Sequence, residues 1–361
     1  MSFLEKPLNL FALLLTAFIA AASFASYTLG EYGLTGEFWT TSTAVKVFLY
    51  VCIMTHITIT CMSLSFHRSH THKGVNFNKY IDTFMQTWLW LVTSMSKLDW
   101  VSVHMYHHIH SDEEKDPHSP KQKGLAHVFF FGAWDYSAAK STPEVLKIRN
   151  RLPVTPYELF ISKNLLLGPA IMVFFNLMMF GVQWGSILSV VNFLLSPVFA
   201  VGGVNAIAHW IGYKNHKTTD NSRNIGFLFP LNFLICGELD HNNHHAHQKS
   251  CSFRHKWYEF DIGFFYIKML SYFKLAEIRT VYNPTKFKKE LAIKALSVIE
   301  ANHNFQERLA QLAHELKLSV QELKEQIAAY LEGKKHQLEK PAKQFAKEIK
   351  AYLRQQAMVQ A

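Results

Sequence analysis

Residues 164–213 run for fifty positions without a single Asp, Glu, Lys or Arg. Residues 7–30 and 47–66 are likewise free of those charges. A backbone in lipid must satisfy its own polar groups, which leaves helices and closed barrels, and roughly 20 apolar residues carry a helix across. The first two stretches are therefore each long enough for one span, and the third for two. The fifty-residue stretch breaks at Gly181-Val-Gln-Trp-Gly185, a turn carrying an interfacial tryptophan. Four transmembrane helices are predicted, near 8–30, 45–66, 159–181 and 186–209. The first is too long for a signal peptide, lacks a cleavage site and is followed by a polar loop and a second span.

Orientation follows from the loops. Residues 31–45 hold two Glu and no basic residue, whereas 67–157 hold eleven Lys or Arg. By the positive-inside rule both termini lie in the cytoplasm, together with everything beyond the inner ends of the spans. The mean hydropathy of +0.01 conceals this, because an apolar first part is averaged with a charged tail. The formal charge of +10 suits anionic headgroups or an acidic partner such as a small electron carrier. No nucleic-acid reader motif accompanies it. Four Cys without a CxxC pair fit a reducing compartment and argue against thiolate metal sites.

Three histidine clusters stand at the predicted cytoplasmic ends: His67-Arg-Ser-His70-Thr-His72, His104-Met-Tyr-His107-His108 and His241-Asn-Asn-His244-His245. The last two share the spacing i, i+3, i+4, which puts three imidazoles on one helical face. Neutral imidazole is a common ligand for transition metals. His67 and His72 are five apart, about 140° on an α-helix, and are expected to point to different places. Eight candidate ligands are too many for one ion, so two metals are expected. A single zinc site would want three ligands and an open position. A carboxylate di-iron bundle would use Glu238-Leu-Asp-His241 and Glu300-Ala-Asn-His303, which strands most of the clustered histidines. An all-histidine shell at the mouth of an apolar cavity suits O₂ activation against an unactivated C–H bond, with iron the expected metal.

The spacing assigns other residues lesser roles. His56, inside an apolar run, reads as a hydrogen-bonded packing residue, and His303, His314 and His336 as solvated. Asn205-Ala-Ile-Ala-His209 forms an i, i+4 pair at the end of the fourth span. The stretches 83–96 and 225–236 are apolar but too short to span, and read as interfacial helices or cavity wall. Asp112, Asp116, Glu238 and Asp240 stand near the clusters and are candidates to orient the imidazoles. Trp88, Trp90, Trp100 and Phe227 could line a tunnel or simply pack. From about residue 285, fourteen Lys or Arg face nine Glu, and Leu309, Leu312, Leu316, Val320, Leu323, Ile327 and Leu331 make a helical stripe. The expectation there is a long helix and a shorter one, broken at Gly333 and Pro341.

Taken together, the motifs resemble the membrane-bound fatty acid desaturases, in particular the acyl-CoA (stearoyl-CoA-type) Δ9 branch and its bacterial members. The resemblance spans about residues 45–280. It rests on His67-Arg68-x-x-x-His72, Asp99-Trp100-Val101 leading into His104-x-x-His107-His108, Asp116-Pro117-His118-Ser119, Asn205-x-x-x-His209, Gly237-Glu238-x-x-His241-x-x-His244-His245 and Lys256-Trp257-Tyr258-Glu259-Phe260-Asp261.

This resemblance implies an all-α integral membrane protein with four transmembrane helices under a cytoplasmic helical cap. The desaturase domain is placed at residues 1–284 and a basic helical tail at 285–361. It implies two iron ions (Fe2+/Fe3+) held by His67, His72, His104, His107, His108, His209, His241, His244 and His245, with Asn205 reaching one iron through a water. His70, His110 and His247 fall outside the ligand positions. The expected reaction converts saturated C16 or C18 acyl chains to cis Δ9 products, with O₂ as co-substrate. The chain would lie in a bent tunnel beneath the metals. Electrons would come from ferredoxin, cytochrome b5 or a similar donor with its reductase, in a bacterial inner membrane. Two departures touch the substrate: Met105 replaces an Arg in the second cluster, and Ser102 replaces a basic residue before it. Acyl-CoA is the first expectation, with Lys97, Lys121 and Lys123 as substitute cations, and an acyl-lipid substrate is the alternative. A membrane di-iron hydroxylase is the rival enzyme, disfavoured by Asn205-x-x-x-His209. A metal transporter would need ionisable residues along a pathway inside the spans.

Overall fold

The computed structural model describes residues 43–334 and 338–359. The expected first span at 8–30 lies outside them, as does His336. The chain divides into two compact units after Val281.

In the first unit, helix Thr43–Cys61 runs without a break into a π-helical stretch, Met62–Thr71. The second expected span thus carries the first histidine cluster on its own continuation. Among the described residues two helices are long and apolar enough to cross a membrane, Val47–Thr71 and Leu167–His209. The second of these is a hairpin. Gly181 takes φ 74° and ψ 172°, a conformation that glycine adopts without Cβ strain. A Cβ on Gly185 would meet the main-chain oxygen of Asn176 at 2.5 Å, and Asn176 donates to Ser189 Oγ at 2.9 Å. In a straight helix residues 176 and 185 would stand ~13 Å apart, so the chain reverses at Gly181. Tyr50 ties the hairpin to the first helix, donating to Asn176 and accepting from Asn192, both at 3.0 Å.

One boundary moves. The third span was expected from residue 159, but Pro156–Lys163 is a separate short helix with a Thr155/Glu158 capping box, and the apolar helix starts at Leu167. The Thr155 cap and Pro156 in the first turn start a helix early, and Asn164 ends it. Phe48, Ile53, Phe174, Phe175, Phe193 and Leu194 all leave about half or more of their area exposed. So large an apolar band on the outside of long helices has a natural neighbour in acyl chains.

The remaining elements of this unit close around the ends of these helices that carry His72 and His209. Strand Val75–Phe77 pairs antiparallel with Ala276–Ile278. Gly74, ahead of that strand, accepts from Arg279 N and Thr280 N at 2.9 and 3.0 Å. A Cβ there would strike Lys249 O at 2.7 Å, so only glycine allows the approach. Helix Lys79–Thr93 is capped by Asn78 and helix Lys97–Ile109 by Ser96. Further helices are Leu125–Ala139, His241–Ala246 and Ile262–Tyr272.

Among its described residues the second unit holds four helices, Pro284–Ala301, His303–Glu315, Val320–Glu332 and Lys340–Val359. Ile299, Leu309, Leu323, Ile327, Phe345 and Ile349 fill its core. The expected single long helix is therefore broken twice before Gly333. Asn302 caps a new helix by accepting from Phe305 N, and Ser319 with Glu322 forms a capping box. These local hydrogen bonds outcompete helix continuation although the apolar stripe persists across them. Val320, counted in the stripe, is exposed.

Candidate metal centre

Nine buried or nearly buried imidazoles gather at the C-terminal ends of the two long apolar segments, Val47–Thr71 and Leu167–His209. They fall into two groups, His67, His72, His104, His108 and His244 in one and His107, His209, His241 and His245 in the other. Within each group one ligand nitrogen per residue lies within 4.8 Å of the others. The i, i+3, i+4 faces are thus split. His104 and His108 serve one group while His107 serves the other, and His244 parts from His241 and His245 in the same way.

His67 and His72 do not diverge as an α-helix would require; both enter the five-membered group, with ring centroids 5.0 Å apart. The reason is the winding. Met62–Thr71 is π-helical, and His72 N donates to His67 O at 3.1 Å, an i→i+5 bond. Five residues then return the side chain to nearly the same face. A second π-helical stretch, Val198–Ala206, carries Asn205 and leads into His209.

The ring nitrogens are sorted by carboxylates behind them. Nδ1 of His67 pairs with Glu238 at 2.9 Å, His107 with Asp116 at 2.8 Å, His209 with Asp112 at 2.9 Å and His245 with Asp220 at 2.6 Å. A carboxylate accepts, so Nδ1 carries the proton and Nε2 presents a lone pair inward. The Nε2 atoms then crowd one another. His67 faces His244 at 2.9 Å, His244 faces His108 at 3.0 Å, His108 faces His104 at 3.0 Å, and His209 faces His241 at 3.0 Å. Nε2 of His107 and of His245 is buried with no hydrogen-bond partner. Burial, reinforced by the neighbouring imidazoles, pushes His72, His104, His108, His241 and His244 well below the ordinary imidazole value. Neutral rings with converging lone pairs repel unless a cation stands among them. The donor set therefore fits one transition ion per group.

Three of the four expected carboxylates do the orienting. Asp240 does not; it accepts from Asn232 Nδ2 at 3.3 Å, and burial with the Glu259 and Asp261 charges raises its carboxyl well above the usual range. Its place is taken by Asp220, which no spacing rule marked, because it reaches His245 from an irregular loop. Asp112 also accepts from Asn221 N at 2.6 Å and Ser119 Oγ at 2.7 Å, and so knits that loop to the second cluster. Asp220→Asn is expected to weaken metal binding ~10–100-fold, read by competition with a chelator, because His245 loses its fixed orientation. Unchanged affinity would show that the carboxylate does not orient the ring.

Other sequence expectations are resolved in place. His56 bonds Leu234 O and Tyr266 Oη, both at 2.9 Å, as a packing residue. His70 pairs with Asp82 and His110 with Glu113, away from the two groups. His303 and His314 are exposed. An apolar cavity opens against the five-membered group. Its wall includes Ile59, Met62, Met95, Val103, Tyr136, Val201 and Val204, and its polar end is His67, His104, Asn205, Glu238 and His241. Trp100 lines it, whereas Trp88 donates to Thr58, Trp90 donates to Asn164 O and Phe227 is exposed. Lys97 is buried in an ion pair with Glu158, and Lys123 pairs with Asp135 at 3.0 Å.

Comparison with known proteins accords with this geometry. The fatty acid desaturase family profile matches residues 42–261. A "Delta-9 acyl-lipid desaturase 2" of Arabidopsis thaliana is 30% identical over 259 residues, which cover 70% of this chain and 80% of the relative. An "sn-1 stearoyl-lipid 9-desaturase" of Synechocystis is 30% identical over 224 residues, 60% of this chain and 66% of that protein. An "Acyl-CoA C20 Delta5-desaturase" of Anemone leveillei is 30% identical over 222 residues, 59% of this chain and 67% of that protein.

Proposed function

This chain belongs to the fatty acid desaturase family, and on that premise we propose that it inserts a cis double bond, at Δ9, into saturated C16 or C18 acyl chains. The observation that carries the reading is the apolar cavity ending on His67, His104 and His241, where two imidazole groups meet. His67, His72, His104, His108 and His244 would hold one iron, and His107, His209, His241 and His245 the other, with Asn205 reaching an iron through a water. Two bound irons would supply O₂ activation, with two external electrons, for removal of two vicinal hydrogens as water.

What the protein contributes is placement. The cavity wall would hold the acyl chain with one methylene pair near the histidines, and the apolar lining would keep water out. The carboxylates at Glu238, Asp112, Asp116 and Asp220 hold the Nδ1 protons of His67, His209, His107 and His245, so the Nε2 atoms of those four rings stay available. An electron donor with an acidic face suits the +10 chain. Ferredoxin and cytochrome b5 are the classes expected.

For the form in which the acyl chain arrives, the balance has shifted from acyl-CoA toward a membrane lipid. Lys97 is spent on Glu158, which removes a candidate grip on a CoA phosphate. Relatives from Arabidopsis and Synechocystis bear acyl-lipid names. Acyl-CoA stands as the second reading, favoured by the Anemone relative. In a host lacking its own desaturase, expression is expected to yield O₂-dependent cis mono-unsaturated acyl chains. Label supplied in phospholipid should reach product without passing through CoA. A hydroxylated fatty acid as the main product would instead make this a hydroxylase.

The proposed setting is a multi-pass membrane protein, in a bacterial inner membrane, with four spans, the first at 8–30. Both termini and the histidine cap would face the cytoplasm, because the basic residues follow the inner ends of the spans. A reporter fused after Ala361 is expected to be active in the cytoplasm; activity only on the far side would overturn the orientation.

A further inference from the structure

Outside the nine-imidazole centre, three more histidines from separate stretches of chain converge: His216, His247 and His255. Each offers a ring nitrogen, and these nitrogens lie within 4.8 Å of one another. His216 Nε2 stands 2.8 Å from His255 Nδ1, and the His216 and His247 ring centroids are 4.8 Å apart. All three rings are half-buried, so solvent reaches them.

Their main chains are held before any ligand arrives. His216 N donates to Asn242 Oδ1 at 2.8 Å, and Asn242 Nδ2 donates back to His216 O at 3.0 Å. His247 N donates to His244 O and Asn243 O, both at 3.1 Å. His255 N donates to Glu259 Oε2 at 2.7 Å, and the same oxygen accepts from Asn243 Nδ2 at 2.8 Å. Asn215 Nδ2 donates to Asn243 Oδ1 at 2.8 Å and to Glu259 Oε1 at 2.5 Å. Asn242, Asn243 and Glu259 thus fix all three segments in one frame, so little ordering remains to oppose binding.

We propose that His216, His247 and His255 form a third metal site that takes a divalent, imidazole-preferring ion of the zinc class. Three nitrogen donors with solvent as the fourth ligand suit Zn2+ or Co2+. Ca2+ and Mg2+ would require oxygen ligands, and none of the three residues supplies one. The rival account is a hydrogen-bonded histidine cluster that binds nothing. Basic side chains nearby work against the ion, yet Lys214 is turned to Asp220 O at 2.6 Å and Arg254 to Lys256 O and Trp257 O at 3.2 and 3.0 Å. The site lies on the same chain segment as the third histidine cluster, with His247 two residues after His245 and Asn242 between His241 and His244. Filling it would stiffen the segment that carries those ligands.

The test uses tag-free, iron-loaded, full-length protein in detergent, dialysed against micromolar Zn2+, with zinc and iron measured together. The expected result is about one added zinc per chain at constant iron, together with a rise in thermal midpoint. His216→Ala and His255→Ala should each lose that zinc and the midpoint rise while keeping their iron. Retained iron reports that a variant has folded, and His216→Gln serves if either alanine variant loses it. Co2+ in place of Zn2+ should give visible ligand-field bands in the wild type that the variants lack. Equal zinc in wild type and folded variants, no added zinc in the wild type, or zinc entering only as iron leaves would each overturn the proposal.

Discussion

On the proposed two-iron reading, His107→Ala and His244→Ala are each expected to reduce desaturation to background and to lower bound iron below about two atoms per chain. The two substitutions test different groups, since His244 sits among the five and His107 among the four. His107 Nε2 is buried without a hydrogen-bond partner, and its Nδ1 is tied to Asp116 at 2.8 Å. Removing the ring takes away one inward lone pair and leaves Asp116 as a buried carboxylate without its imidazole, a large loss in a dry site. His244 Nε2 lies 2.9 Å from His67 and 3.0 Å from His108, at the centre of its group. His303→Ala is the control, because that side chain is 82% exposed and pairs with Glu307 on its own helix. Full activity in His107→Ala with iron retained would remove that group from the site. One iron or fewer per chain in an active wild type would end the two-metal reading.

The second large effect is expected on folding. Arg68→Ala should prevent accumulation of intact protein or sharply lower its thermal midpoint in detergent, independent of metal supply. Arg68 is 1% exposed, among the least accessible large side chains. It donates to Asp261 Oδ2 and Cys251 O at 2.9 Å each, to Cys236 O at 2.8 Å and to Ser63 Oγ at 3.1 Å, and it lies 3.8 Å from the centre of the Phe253 ring. Its substitution leaves Asp261 buried without its cation and two carbonyls without a donor, which costs ~3–5 kcal/mol for the ion pair alone. Against a typical total stability of ~5–15 kcal/mol that loss decides whether the chain folds. The effect should reach the metals too, since Ser63 and Arg68 both contact Glu238, which holds His67. Lysine should not rescue it, because one ammonium cannot serve these diverging acceptors. A midpoint for Arg68→Ala equal to wild type would refute this account. Loss of iron with an unchanged midpoint would assign Arg68 to the metal centre alone.

Much of the site was legible before any fold was known. The charge-free runs at 47–66 and 164–213 became the two long apolar helices, since a run without charge in so basic a chain has few other solutions. Repeated i, i+3, i+4 histidines marked the gathering residues, because helical spacing is local and the metal preference belongs to the imidazole itself. The resemblance to the desaturase family added His209, which spacing alone paired only with Asn205.

The tertiary structure decided what meets what. An α-helical wheel sends His67 and His72 apart, and only a π-helical winding, seen in the 3.1 Å bond from His72 N to His67 O, brings them together. Spacing could not tell that His107 leaves its neighbour His108 for the other group, because that division depends on three elements packing at once. Asp220 reaches His245 from an irregular loop, and His216, His247 and His255 share a frame only through Asn242, Asn243 and Glu259. Lys97 looked available for an anion until Glu158, 61 positions away, neutralised it. The physical reason is common to all of these. Sequence periodicity specifies the face of a local element, whereas the partner across that face is set by contacts between residues far apart in the chain.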